Sequence, residues 1–145
     1  MEFEGQYLTY ENYRGLGGKL TIMPFNLLEF EIRKQIDKYT HGRLINIIDI
    51  PQEVKLCEMS LIKSIQGYAD SINQVVEHNG VASTSTDGYS ESYMTPAQIK
   101  EIIASKKEEV KQTIRDYLSE TKVNGEYVLY AGGVYVNKQQ INFIP

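Results

Sequence analysis

Cysteine occurs once in this chain, tryptophan not at all, and histidine only twice. A lone cysteine, Cys57, cannot close an internal disulfide or supply a paired-cysteine metal site. Cys57 is therefore expected to be a small buried hydrophobe, the usual fate of that side chain. The two histidines, His41 and His78, lie far apart with no second ligand at helical spacing, so no metal site is expected. His41 falls where a helix ends and is expected to interact with the negative pole there. No apolar run approaches the ~18 residues that a membrane helix requires. The first residues, Met1 to Glu4, are acidic and lack the basic region of a signal peptide. Together with the missing disulfides, this predicts a protein made and used in a cytoplasm, with no membrane partner.

Charge of one sign is also scarce. The net charge is −4, from 15 basic and 19 acidic residues, with no run of like charge. Tight nucleic-acid binding draws on clustered Lys and Arg to neutralise phosphates, and no such cluster stands out here. The 41% hydrophobic content is a little low for 145 residues in one compact domain. Part of the chain is therefore expected to lie outside the core.

What is present reads mostly as helix. Thr9 is placed to cap a short helix that stops at Gly17-Gly18. Phe25, Leu28, Ile32, Ile36 and Tyr39 recur at spacings of three and four, with Pro24 in the first turn and Glu29–Arg33 as a favourable pair, which predicts a helix over 24–39. Pro51 opens the strongest helix, to about Glu77, with a stripe of Val54, Cys57, Leu61, Ile65, Tyr68, Ile72 and Val75. Thr95-Pro96-Ala97-Gln98 carries the signature of a capping box. One continuous helix is predicted from there to about Leu118, with Ile99, Ile103, Val110, Ile114, Tyr117 and Leu118 on one face.

Two segments do not fit a helical core. Residues 79–93 are polar, and Asp87-Gly88 signals a hairpin turn. Residues 126–137 are rich in β-prone side chains, and Gly132-Gly133 is the expected turn of a second hairpin or the bend of an extended arm. The fold class expected is mainly α: a four-helix bundle-like core with a β-hairpin or loop insertion at about 80–94 and an extended, β-prone C-terminal arm. A single domain is expected over 1–145, its helical core at about 7–78 and 95–119, its loop arm at 79–94 and its C-terminal arm at 120–145.

No constellation for catalysis is legible. Gly15-x-Gly17-Gly18-Lys19 faintly resembles a phosphate loop, but a helix precedes it and Leu20 follows the lysine. The serines at 83, 85, 90 and 92 sit in no nucleophile elbow. Glu29 and Glu31 are two apart on a helix and face different sides, so no paired carboxyls are expected. The protein is read as a non-enzyme with no cofactor and no metal.

Tyrosine is the abundant residue, with 11 copies. Tyrosine combines a large contact area with a polar tip and is enriched in protein interfaces. Several tyrosines lie in the two segments outside the predicted core, and Tyr7, Tyr10 and Tyr13 lie near the N-terminus. The residues expected to touch partner proteins are Tyr89, Ser90 and Tyr93 in the loop arm, and Tyr127, Leu129, Tyr130, Val134, Tyr135 and Phe143 in the C-terminal arm.

The order of these pieces resembles the head–tail adaptor (connector, or head-completion) proteins of tailed bacteriophages. The resemblance runs through Tyr7-Leu8-Thr9-Tyr10-Glu11-x-Tyr13 and Phe25-Asn26-x-Leu28-Glu29-Phe30. It continues through Arg33-Lys34-x-Ile36-Asp37, Tyr39-Thr40-x-Gly42-Arg43 and Pro51-x-x-Val54-Lys55-Leu56-Cys57. It ends with Tyr89-Ser90-x-Ser92-Tyr93, Tyr117-Leu118-Ser119 and Leu129-Tyr130-x-Gly132-Gly133-Val134. Where family members often carry a basic residue after the terminal Leu-Tyr, this chain has Ala131. The resemblance implies a structural virion protein, assembled in the bacterial host cytoplasm. It implies a homo-oligomeric ring, usually of twelve copies, between the portal protein and the stopper or tail-completion protein. DNA would pass through the ring's channel without specific binding. The competing expectation is a small, helical, phage-encoded DNA-binding regulator, with Lys106, Lys107 and Lys111 as its only basic candidates.

Overall fold

A computed structural model of the chain describes residues 2–78 and 94–129, with only the backbone described for 72–78. Five helices and one small antiparallel sheet make up the described residues, in the order α1 (Tyr10–Gly15), α2 (Ile22–Tyr39), α3 (Gln52–His78), α4 (Pro96–Ser105), α5 (Lys107–Leu118), β1 (Lys122–Val123) and β2 (Glu126–Tyr127). The chain is mainly helical, as its periodicity predicts. None of these helices is long and apolar enough to cross a membrane.

The longest helix, α3, is the spine, with α5 and α2 packed against it and α4 against both α2 and α3. The α2 stripe of Phe25, Leu28, Ile32 and Ile36 and the α3 stripe of Val54, Cys57, Leu61 and Ile65 are buried in one core. From the last helices the core takes Ile99, Ile103, Val110, Ile114 and Leu118. Two residues assigned to these stripes lie elsewhere: Tyr68 and Tyr117 are exposed, at 38% and 37%. A stripe repeating every three or four residues drifts around the helix, and at these turns the core takes Ala69 in place of Tyr68 and Leu118 without Tyr117. Tyr68 stacks beneath the Lys106 ammonium, 5.0 Å from its ring centre.

The predicted continuous helix from Pro96 to Leu118 is in fact two helices. At Lys106 the backbone leaves helical geometry, with φ −110° and ψ 30°. Its N–H is shared between the carbonyls of Ile102 and Ile103, at 2.9 and 3.2 Å. The Ser105 hydroxyl donates back to the Ile102 carbonyl, a bond that bends helices. The Lys106 ammonium then pairs with Glu109 at 2.8 Å in the first turn of α5. The break lets both halves bury their apolar faces.

The helix ends follow the expected chemistry. The Thr9 hydroxyl accepts from Asn12 N–H at the start of α1, and Thr95 and Gln98 form a complete capping box on α4. At the end of α1, Gly17 N–H donates to the Arg14 carbonyl and Gly18 N–H to the Tyr13 carbonyl, the paired pattern of a Schellman stop. Gly17 takes φ +99°, which glycine adopts without strain. Past α2, His41 (φ 56°) and Gly42 (φ 75°) turn the chain in the same left-handed sense. The terminal sheet turns at Asn124-Gly125, with Lys122 opposite Tyr127 and Val123 opposite Glu126. Both turn residues have positive φ, 55° and 82°, as a type I′ turn requires. This turn was not anticipated. The hairpin or loop expected at 80–94 and the turn expected at Gly132-Gly133 lie outside the described residues, apart from Met94.

Candidate functional site

Two features stand out once the core is accounted for: a buried polar network under the N-terminal segment, and two surface grooves. The network begins on α2. Glu29 falls one turn after Phe25 and is fully buried, and Glu58 falls one turn after Val54 on α3 and is fully buried as well. Glu29 accepts from Tyr7 N–H at 3.0 Å and from Arg33 Nε at 3.2 Å, with Arg33 Nη2 at 3.1 Å. The Tyr7 hydroxyl donates to Asp37. Arg33 Nη1 also donates to the Glu4 carbonyl, and Gln6 Nε2 to Asn26 Oδ1. The segment leading into α1 is thereby fastened to α2 along its length.

Glu58 is the unusual member. Among the described residues, no donor reaches either of its oxygens. Burial, and after it the charge of neighbouring Glu29, hold its pKa well above the ordinary carboxylate value. Glu29 and Asp37 stand against it, and Arg33 is the cation that opposes them. A further buried negative charge beside Glu29 would be uncompensated, so burial favours the protonated form of Glu58. This pairing corrects the expectation that no carboxyls share a site. The signal was present in the sequence: Glu58 lies within the apolar stripe, between Val54 and Leu61. Burial and the Asp37 bond likewise raise the Tyr7 phenol. The cluster is enclosed, and what it does is pin the N-terminal segment.

Tyr7 and Tyr13 are only 5% and 3% exposed, so these N-terminal tyrosines are core residues. Tyr13 stacks on Phe25 with ring centres 4.5 Å apart. Its hydroxyl oxygen accepts from the N–H groups of Lys19 and Leu20, at 3.1 and 2.9 Å. Two backbone donors that a phosphate loop would aim at its ligand are thus committed to a side chain. Gly18 must be glycine, because a Cβ there would sit 2.2 Å from the Tyr13 ring.

Of the nine residues expected to touch partners, only Tyr127 and Leu129 are among the described ones. Tyr127 is exposed on β2, with the Lys122 ammonium 4.7 Å from its ring centre. Leu129 is partly buried against the chain's own core. Tyr89, Ser90, Tyr93, Tyr130, Val134, Tyr135 and Phe143 lie outside the described residues. The most exposed aliphatics among the described residues lie between α2 and α3: Ile48 is 95% exposed and Ile45 53%. Arg43, beside them, reaches the terminal sheet through Glu126 at 3.5 Å and the Val128 carbonyl at 3.3 Å.

The larger groove, about 500 Å³, runs between the loop after α1 and one face of α3, and includes Tyr13, Lys19, Ile62, Lys63 and Gly67. The smaller, about 220 Å³, brings Lys38, His41, Lys111 and Arg115 around Tyr39, Ile114 and Leu129. Of the lysines singled out as basic candidates, Lys106 is committed to Glu109 and Tyr68. Among the described residues, no group of three His, Cys, Asp or Glu side chains is arranged to hold a metal ion. Comparison with protein-family models, with curated proteins and with solved structures finds no match to this chain.

Proposed function

We propose that this chain is a head–tail adaptor subunit: a structural protein that forms a ring between the portal and the stopper or tail-completion protein of a tailed bacteriophage. In this reading it has no catalytic role and works by binding other chains. The observation that carries the reading is the connector between α2 and α3, where Ile45 and Ile48 stand in solvent. Large apolar side chains left in solvent on a connector offer a contact that another chain can cover. The ordered series of motifs from Tyr7 to Val134 supports the same reading. Residues 82–93 would pair with a neighbouring subunit or with the next ring by strand addition, and residues 126–144 would dock on the portal. A mildly acidic chain would line a DNA channel without holding the duplex, for want of contacts that neutralise phosphate.

Electron microscopy of the protein mixed with its cognate portal tests this directly: an added ring beneath the portal is the expected result. Removing residues 126–145 is expected to abolish that ring, and retained portal binding would refute the docking assignment.

The basic groove of Lys38, His41, Lys111 and Arg115 favours a second reading, a DNA-binding regulator. A gel-shift assay separates the two. Tight duplex binding at moderate salt, weakening steeply as salt rises, would support the regulator and contradict a channel that DNA slips through.

A further inference from the structure

The smaller groove gathers positive charge that the described residues do not neutralise. Lys38 lies in the last turn of α2, His41 follows it in the turn, and Lys111 and Arg115 stand one turn apart on α5. Like charges at that helical spacing repel, so the pair weakens α5 rather than supporting it. Among the described residues, Lys38, Lys111 and Arg115 have no ion-pair partner. The acids beside them in sequence are committed elsewhere, Asp37 to the Tyr7 hydroxyl and Asp116 to Gln112 at 2.8 Å. Lys38 rests over the Tyr39 ring, 5.5 Å from its centre, a contact that leaves its charge unneutralised. Among the described residues no carboxylate lines the groove, and its floor is buried Ile114 with half-buried Tyr39 and Leu129. His41 is held at its edge with φ 56°, a conformation that glycine would take without strain.

We infer that this groove receives the carboxylates of an acidic segment on a partner protein, with one of that segment's apolar side chains on the Ile114 floor. The inference rests on the reading of the chain as one that works by binding other chains, and it names the chemistry of what is bound. The Arg115 guanidinium can fork onto one carboxylate through two N–H donors, and the lysines meet a second as point charges. Residues 130–145, which follow Leu129, contain no Asp or Glu, so they bring no acidic side chain to the groove. At about 220 Å³ the groove is smaller than the pockets that take drug-sized ligands, which begin near ~300 Å³, and it suits one or two side chains. A duplex is gripped by cations strung along its backbone, whereas these line a single recess. The chain's net charge of −4 also repels a polyanion more than a short acidic segment.

The test follows amide NMR signals of the isotope-labelled full chain as the synthetic peptide Glu-Leu-Glu-Glu-Leu-Glu is added to millimolar concentration. Its counterpart with Gln for every Glu, and a short DNA duplex, are titrated in parallel. Saturable shifts at His41, Lys111 and Arg115 are expected with the acidic peptide and not with the Gln peptide. Combining Lys111→Glu with Arg115→Glu should weaken binding about tenfold or more while circular dichroism stays helical. Should that variant fail to fold, the Gln peptide decides alone. Absence of saturable shifts at these residues, or equal binding of the Gln peptide, overturns the inference. Tighter binding of the duplex at the same residues overturns it in favour of the DNA-binding regulator. If Asp87→Asn with Glu91→Gln moves the groove signals before any peptide is added, the chain's own carboxylates occupy the groove and the inference falls. No portal is present in this assay. A portal ring without peptide binding would sink this inference and leave the adaptor reading standing; peptide binding without a portal ring would do the reverse.

Discussion

Glu58 makes a contribution of definite sign to how stability varies with pH. Its folded pKa is raised by burial and by Glu29 above the ordinary value of 4.5. Below that value both folded and unfolded chains hold the proton, and burial carries no ionisation penalty. As pH rises above 4.5 the unfolded chain sheds its proton while the folded chain keeps it. Glu58 therefore lowers stability as pH rises, by about 1.4 kcal/mol per unit, until its folded pKa is reached. Glu58→Gln keeps the shape and supplies an N–H for Glu29. It is expected to make the protein more stable than the parent at pH 8, with little difference at pH 4, in denaturant titrations at the two pH values. Equal destabilisation at both would show that the proton is not what matters. The neighbouring Cys57 thiol is buried and pushed up to about 12 by that burial and by Glu58. It should resist a thiol reagent in the native state and react once denaturant is added. At Gly18, alanine would drive a Cβ into the Tyr13 ring. A loss of about 2–4 kcal/mol in stability is expected from displacing a stacked core ring, measured as a fall in the unfolding midpoint.

Elements were legible where their signals were local. Thr9, Thr95 and the apolar stripes of α2 and α3 announced helices, because capping and amphipathic spacing act within a few residues of each other. Replacing Thr95 with alanine removes the hydroxyl that accepts from Gln98 N–H, at 3.2 Å. It should cost about 1 kcal/mol in a thermal or denaturant melt. The break at Lys106 was half visible. Lys106 and Lys107 interrupt the stripe, but whether a helix bends there depends on Ser105 bonding back and on α3 presenting Ser64 to Glu109, at 2.9 Å. Such tertiary contacts leave no periodic trace. The Asn124-Gly125 turn is different: its dipeptide is a strong hairpin signal, overlooked beside the more conspicuous Gly132-Gly133. The candidate site was the least legible part. Nothing local says that Tyr7 and Tyr13 turn inward while Tyr68 and Tyr117 turn outward. A tyrosine that hydrogen-bonds Asp37, or accepts from two backbone amides, satisfies its polar tip inside the protein as well as water would outside. Glu58 shows the same blindness in reverse: a carboxyl inside an apolar stripe is visible, but the partner that makes its burial tolerable lies on another helix.

At the scale of the molecule, the described residues form a helical body with one buried polar network inside and several exposed apolar and basic features outside. The N-terminal segment is fastened through Tyr7, Gln6 and Glu4, and the terminal sheet through Arg43. The unsatisfied surface is elsewhere: the Ile45–Ile48 connector, the slot at Gly67 with its two lysines, and the basic groove below α2. A subunit built to be joined by others would carry such faces. Replacing Ile45 and Ile48 together with serine is expected to leave the melting temperature within a few degrees, because neither side chain is buried, while weakening assembly on the portal. The most direct measurement remains electron microscopy of the protein incubated with its portal. The adaptor reading predicts an additional ring of density coaxial with the portal, lost when residues 126–145 are removed. Portal rings that look the same with and without the protein would contradict it.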